Sequence, residues 1–378
     1  MGNIRPSLPV YEKPQREHRW GGLRIPAVRI TLGLFVGIVL LVLVLRYVNL
    51  SAVLLVLDEN LDTPRGIALA LLAGAAYLLA WSVRGIRWKL FLNPIGKVSA
   101  GRAIALYQIA VFINFLLPVQ GGEVVKCFLL KRSTNIDVSA SLPTVMLDKI
   151  MDLMPVLVVL AIVPLLGLQI STALWVVLVL VSVICCSLLF FIVLAIWKHD
   201  AAIRLLHMLT STLPEAIAGK VERFATGFVD SLLTGVRRPK IFVPAATLTG
   251  VAVVFDGLFA MLAFWTIGFP IPFGTATFGY LTYNMYHILP TPPGQIGSNE
   301  AVGLLVFSGL LHLPALQVTA MFIFSHLWAA ALMCATGLAC LSALGLTIRS
   351  VTQLQAAEKE AAGDDSLLAE GLTEADAE

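Results

Sequence analysis

Long apolar runs separated by short polar stretches dominate residues 30–347. The clearest run, 173–197 (ALWVVLVLVSVICCSLLFFIVLAIW), carries no charge and exceeds the roughly 20 residues that a bilayer-spanning helix needs. Runs of this kind predict full spans at 30–48, 66–83, 140–166, 173–197, 241–268 and 315–347. Two further apolar stretches are interrupted. Pro118, Gly121, Gly122 and Glu123 break residues 100–131; Pro290, Pro292, Pro293, Gly294, Gly297 and Glu300 break residues 275–312. Each half is too short to span comfortably, so both stretches are predicted to be re-entrant helical hairpins, their tips inside protein or lining a wet cavity.

Positive charge orients these elements, because Lys and Arg collect in cytoplasmic loops. The segment before the first span is basic (Lys13, Arg16, Arg19, Arg24, Arg29), and the next loop is acidic (Asp58, Glu59, Asp62). Arg84, Arg87 and Lys89 then read as topology charges on the inner side, although Arg84 or Arg87 is also placed to reach a phosphate from there. Both ends of the first hairpin fall inside, near Lys97 and Arg102 and near Lys131 and Arg132, and both ends of the second fall outside. Each half therefore reads as span, span, hairpin, span, in opposite orientations: an inverted-topology repeat. Broken helices at matching places in such repeats point to a transporter's midplane site.

Composition agrees, with 58% hydrophobic and only 13% charged residues against roughly a quarter charged in soluble domains. The excess apolar surface must face lipid. The expected fold class is all-α, a polytopic membrane helix bundle with a basic cytoplasmic segment at 1–29, a membrane domain at 30–347 and an acidic, disordered cytoplasmic tail at 348–378. The first 29 residues lack a secretory cleavage site, so the first span is expected to remain in the mature protein. Within 198–240, Ile217, Val221, Phe224, Phe228 and Leu232 recur at helical spacing, as in an amphipathic helix on the cytoplasmic membrane surface. The expected location is the cytoplasmic (inner) membrane, with both termini cytoplasmic.

Few residues can carry chemistry in such a chain. Beyond each break a helix begins near Glu123 or Glu300, and its free N–H groups form a natural seat for an anion such as phosphate; plain helix capping by these glutamates stands beside that reading. Asp148 and Asp152 share a helix face and flank Lys149, as an internal charge network or as charges at the cytoplasmic interface. Asp256 lies mid-span in VAVVFDGLFAML and is expected to face the internal cavity. Asn114, Asn284 and His287 precede the breaks and most simply satisfy loose backbone groups, with a ligand role as the alternative. Cys127, Cys185, Cys186, Cys334 and Cys340 read as small packing residues. No nucleophile–base arrangement, nucleotide-binding loop, metal-ligand cluster or nucleic-acid motif is present, so no cofactor, metal or nucleic-acid partner is expected.

IRWKLFL at 86–92, NFLLPVQGGEVVKCFLLKR at 114–132, LDKIMDL at 147–153 and LPTPPGQIGSNEAV at 289–302 together resemble the lysylphosphatidylglycerol synthase transmembrane-region family of flippase-like membrane proteins. The family's Arg-Trp pair falls on Arg87 and Trp88, its Asn-x-x-x-Pro with Gly-Glu on Asn114, Pro118, Gly122 and Glu123, and its Pro-Gly-x-x-Gly-x-x-Glu on Pro293, Gly294, Gly297 and Glu300. Lys149 stands where the family usually has Arg, and Gln295 where it has a second Gly. The resemblance implies a membrane domain that moves or accommodates a lipid with a polar head. In two-part relatives a soluble transferase domain accompanies it; no such domain is seen in this sequence, which argues against aminoacyl-lipid synthesis by this chain alone.

The expectation is a flippase or transporter of an anionic lipid, with Glu123 and Glu300 lining the path. Lys149 and Arg87 would offset the phosphate, and Asp256 or Asp148 would act as charge partner or proton site. An intramembrane transferase acting on a lipid carrier, and a scaffold for a separate lipid-modifying enzyme, are the alternatives.

Overall fold

Hydrocarbon offers peptide groups no hydrogen-bond partners, so a chain this apolar must satisfy its backbone internally. The computed structural model does so with helices, and no strand occurs among the described residues. It describes residues 35, 38–44, 46, 48–116, 121–162, 183, 187, 239–288 and 291–345. The basic N-terminal segment, the span expected at 173–197, the linker helix within 198–240 and the acidic tail lie outside the described residues. The described positions between 35 and 46 are all helical.

Numbered over the described residues, the helices are α1 (Leu50–Leu61), α2 (Pro64–Leu92), α3 (Ala100–Leu116), α4 (Gly122–Thr134), α5 (Val138–Ile162), α6 (Pro239–Thr266), α7 (Phe273–Asn284), α8 (Ser298–Gly303) and α9 (Ala315–Ala343). Short 3-10 turns occupy Met285–Ile288 and Pro293–Gln295, and α8 runs on as a π-helical stretch over Leu304–Leu310. Pro64–Leu92, Lys240–Thr266 and Ala315–Ala343 are each long and apolar enough to cross a membrane.

Two elements differ from the sequence pattern. The span expected to end at 83 continues to Leu92, so Arg84, Arg87 and Lys89 lie on α2 rather than in a loop. Thr63 starts this helix by accepting a hydrogen bond from Gly66 N–H at 2.9 Å, with Pro64 in the first turn. Nothing in the local sequence stops it at Arg84, whose charge finds partners on other helices. Asp58 and Glu59, expected in a loop, lie on α1.

Helices α2 and α6 pack along each other. Helix α3 lies against α2 and α9, and α7 lies against α6. Trp88, Leu106, Ile109, Leu129 and Leu130 form one core around the first interrupted segment. Phe264, Phe307, Met321 and Phe322 form a second around the other. Leu71, Leu72, Val243, Val254 and Leu327 point outward, as side chains facing lipid must.

Candidate functional site

The charged residues of α2, α4, α5 and α6 converge. Arg84 and Arg87, three residues apart, share a face of α2. Arg87 is fully buried and spends its whole guanidinium: Nε donates to Asp148 Oδ1 at 2.7 Å, one terminal nitrogen to Asp152 Oδ1 at 2.7 Å and to the Asp148 carbonyl at 3.2 Å, and the other to Thr249 Oγ1 at 3.0 Å. The second Asp148 oxygen accepts from the Tyr107 hydroxyl at 2.9 Å. Arg84 holds both oxygens of Asp256, at 3.3 and 2.5 Å, approaches Asp152 at 3.5 Å and lies over the Trp81 ring at 4.9 Å.

Glu123, in the first turn of α4, extends the cluster. Its two oxygens lie 2.8 Å from Lys126 Nζ and 2.9 Å from Lys149 Nζ. Lys126 is fully buried, its ammonium 4.6 Å from the Trp88 ring centre and 4.2 Å from that of Tyr107. Lys149 is different, with 42% of its side chain exposed. Arg84, Arg87, Lys126 and Lys149 are thus matched by Asp148, Asp152, Asp256 and Glu123. Unpaired, each of the buried charges among these would cost several kcal/mol in so apolar a setting.

The first break is fastened locally. Asn114 Oδ1 accepts from Gly122 N–H at 2.8 Å, joining the end of α3 to the start of α4. A Cβ at Gly122 would sit 2.1 Å from the Ala110 carbonyl oxygen, so only glycine permits this approach.

The second break is built from a strained turn and a histidine. Gly294 (φ 65°), Gln295 (φ 56°) and Gly297 (φ 74°) all adopt left-handed backbone, which is costly for the glutamine. Beyond it, Glu300 Oε1 lies 2.6 Å from His326 Nδ1 of α9, and His326 Nε2 lies 2.8 Å from the Gly294 carbonyl oxygen. The hydroxyls of Tyr283 and Tyr286 both donate to Asn299 Oδ1. Phe115, at the end of α3, stands edge-on to the His326 ring with centres 6.3 Å apart, so the two breaks approach each other there.

The expected site residues therefore fall in two groups. Asn114, Gly121, Gly122, Glu123, Arg87, Asp148, Lys149, Asp152 and Asp256 belong to the first; Pro293, Gly294, Gly297 and Glu300 belong to the second. Pro118 lies outside the described residues. Glu300 pairs with His326, not with Lys149 or Arg87. Neither glutamate caps its helix: both carboxylates point to cationic or imidazole side chains, and the Gly122 N–H is already taken by Asn114. Sequence reasoning missed the partnership of Arg84 with Asp256, the ring-flanked Lys126, the two tyrosines on Asn299, and His326. Lys126 was visible as the i+3 partner of Glu123, and His326 as an ionisable residue in a 29-residue helix without Lys, Arg, Asp or Glu.

Membrane-length apolar helices together with a buried, charge-balanced cluster define an integral membrane protein of all-helical architecture. The chain belongs to the lysylphosphatidylglycerol synthase TM region family, whose family model matches residues 30–345. Among curated proteins it is similar to the glycosyltransferase AglD of Haloferax volcanii, 27% identical over 130 residues, which is 34% of this chain and 20% of that protein. It is also similar to a UPF0104 membrane protein of Pyrococcus horikoshii, 39% identical over 98 residues, 25% of this chain and 28% of that one. The chain thus covers less than a third of the length of either relative. No solved structure matches.

Proposed function

We propose that this protein moves an anionic lipid, of aminoacyl-phospholipid, glycolipid or polyprenyl-phosphate type, across the cytoplasmic membrane. The observation that carries this reading is the half-exposed Lys149, held by a glutamate that is itself shared with a buried lysine. A lipid phosphate reaching Lys149 takes the place of Glu123, whose carboxylate keeps Lys126 as partner, so the headgroup enters without stranding a charge. In this reading the segments α3–α4 and α7–α8 are re-entrant hairpins of an inverted repeat, and both termini are cytoplasmic. Support comes from the order long helix, short helix, break, short helix in each half.

Purified protein in liposomes provides the test, using labelled phosphatidylglycerol, lysylphosphatidylglycerol and a polyprenyl phosphate with a membrane-impermeant quencher. Faster transbilayer movement of at least one lipid, lost in Lys149→Ala, is expected. No acceleration of any of them overturns the proposal.

The similarity to a protein named a glycosyltransferase favours one second reading, a membrane partner for a separate lipid-modifying enzyme. A lipid-modifying enzyme that co-purifies with the protein, together with no transbilayer lipid movement in liposomes, favours this reading over transport.

A further inference from the structure

A carbonyl oxygen can only accept a hydrogen bond, so the 2.8 Å contact between His326 Nε2 and the Gly294 carbonyl requires a proton on Nε2. His326 Nδ1 lies 2.6 Å from Glu300 Oε1, a distance that also requires a proton between the two atoms. That proton belongs either to an imidazolium donating to a carboxylate or to a carboxylic acid donating to a neutral ring. With both contacts made as hydrogen bonds at once, the pair carries one proton more than neutral histidine beside ionised glutamate. Without it, the Nδ1 lone pair would face a carboxylate oxygen, and the two would repel.

We propose that Glu300 and His326 form a proton-binding site that latches the second break onto α9. The latch acts through His326, whose ring spans from Glu300 of α8 to the Gly294 carbonyl in the turn before it. The turn needs such a hold, because Gln295 is kept in left-handed backbone. Two further observations point to a proton as the ligand. The second Glu300 oxygen, Oε2, is buried and accepts no hydrogen bond among the described residues, so it has room for a proton. His326 keeps 11% of its side chain exposed, enough to exchange a proton in an otherwise closed site.

The titratable groups that face this pair are tyrosines. The helix preceding the break and its following turn contribute Tyr283 and Tyr286, whose hydroxyls are engaged with Asn299, and α3 contributes the Phe115 ring. No Lys, Arg, Asp or Glu described on α1, α2, α3 or α6, which pack against α9, forms an ion pair with either group. By contrast, Asp148 is fixed by Arg87 and Tyr107, and Asp256 by Arg84. Loss of the shared proton therefore breaks the contact of His326 with Glu300 and frees the turn at Gly294. If lipid movement is proton-coupled, coupling enters here, a step that rests on the transport reading above.

Amide hydrogen exchange over residues 291–303 of the whole protein, corrected for the intrinsic dependence of exchange on pH, tests the site directly. In the wild type, protection is expected to fall by about tenfold or more as pH rises through one proton's titration, the loss of one charge-assisted hydrogen bond. In Glu300→Gln the amide N–H donates to Nδ1 and reproduces the protonated pair, so protection stays high at every pH. In His326→Ala protection stays low at every pH. A wild-type segment whose protection does not change with pH overturns the proposal, and this arm needs no substitution. A Glu300→Gln variant that titrates as the wild type does also overturns it. Liposome assays separate the two readings: titrating exchange without lipid movement keeps the proton site and sinks transport. Lipid movement with one pH profile in wild type and Glu300→Gln sinks the coupling.

Discussion

Arg87 and Asp148 are joined by a 2.7 Å hydrogen bond in a place with almost no access to solvent, from residues 61 positions apart in the chain. The pair fixes α5 against α2, and every other polar atom of the two side chains is also used. Breaking such a pair strands a charge. Arg87→Ala is expected to cost about 3–5 kcal/mol, read as a lowered midpoint of thermal unfolding in detergent. Arg87→Lys should recover only part of this loss, because an ammonium cannot fork between Asp148, Asp152 and Thr249.

Tyr107 gives a milder test of the same centre. Tyr107→Phe keeps the ring beside Lys126 and removes only the hydroxyl donated to Asp148. The expected loss is about 1–2 kcal/mol in the same unfolding measurement, since Asp148 keeps Arg87.

Lys149 should separate stability from function. Its exposure makes its pair with Glu123 worth at most about 1 kcal/mol, so Lys149→Ala should unfold nearly as the wild type does while losing lipid movement in liposomes. Lys149→Arg, which restores the family's usual residue, should retain movement. Loss of both folding and movement in Lys149→Ala would place this residue in the structural core instead.

The turn of the second break contains a removable strain. Gln295→Gly relieves left-handed backbone and is expected to be neutral or to stabilise by up to about 1 kcal/mol, whereas Gly297→Ala should destabilise by about 1–2 kcal/mol. Paired unfolding curves for the two variants check the sign of each effect.

Much of this architecture was readable from local pattern. Apolar length foretold membrane helices at 66–83, 241–268 and 315–347, where the structure has Pro64–Leu92, Lys240–Thr266 and Ala315–Ala343, because the bilayer core sets the length a helix must have. Gly121 and Gly122, and the run from Pro290 to Gly297, marked the places where helices stop, because proline and glycine act on their own backbone. The end of α2 was misplaced at 83 because Arg84 reads as an interfacial charge when its partner is unknown.

By itself, then, the sequence determined that this is a helical membrane protein with two interrupted segments, and which residues stand at the interruptions. Tertiary structure alone decided how its charges are shared out. Arg84 meets Asp256 across 172 residues, and Arg87 gathers Asp148 and Asp152 from α5. It also decided that Glu300 faces His326 rather than a cation of the first cluster. Helix formation follows from neighbours three and four positions away, but a buried charge is satisfied by whichever opposite group the packing of distant helices brings within about 3 Å.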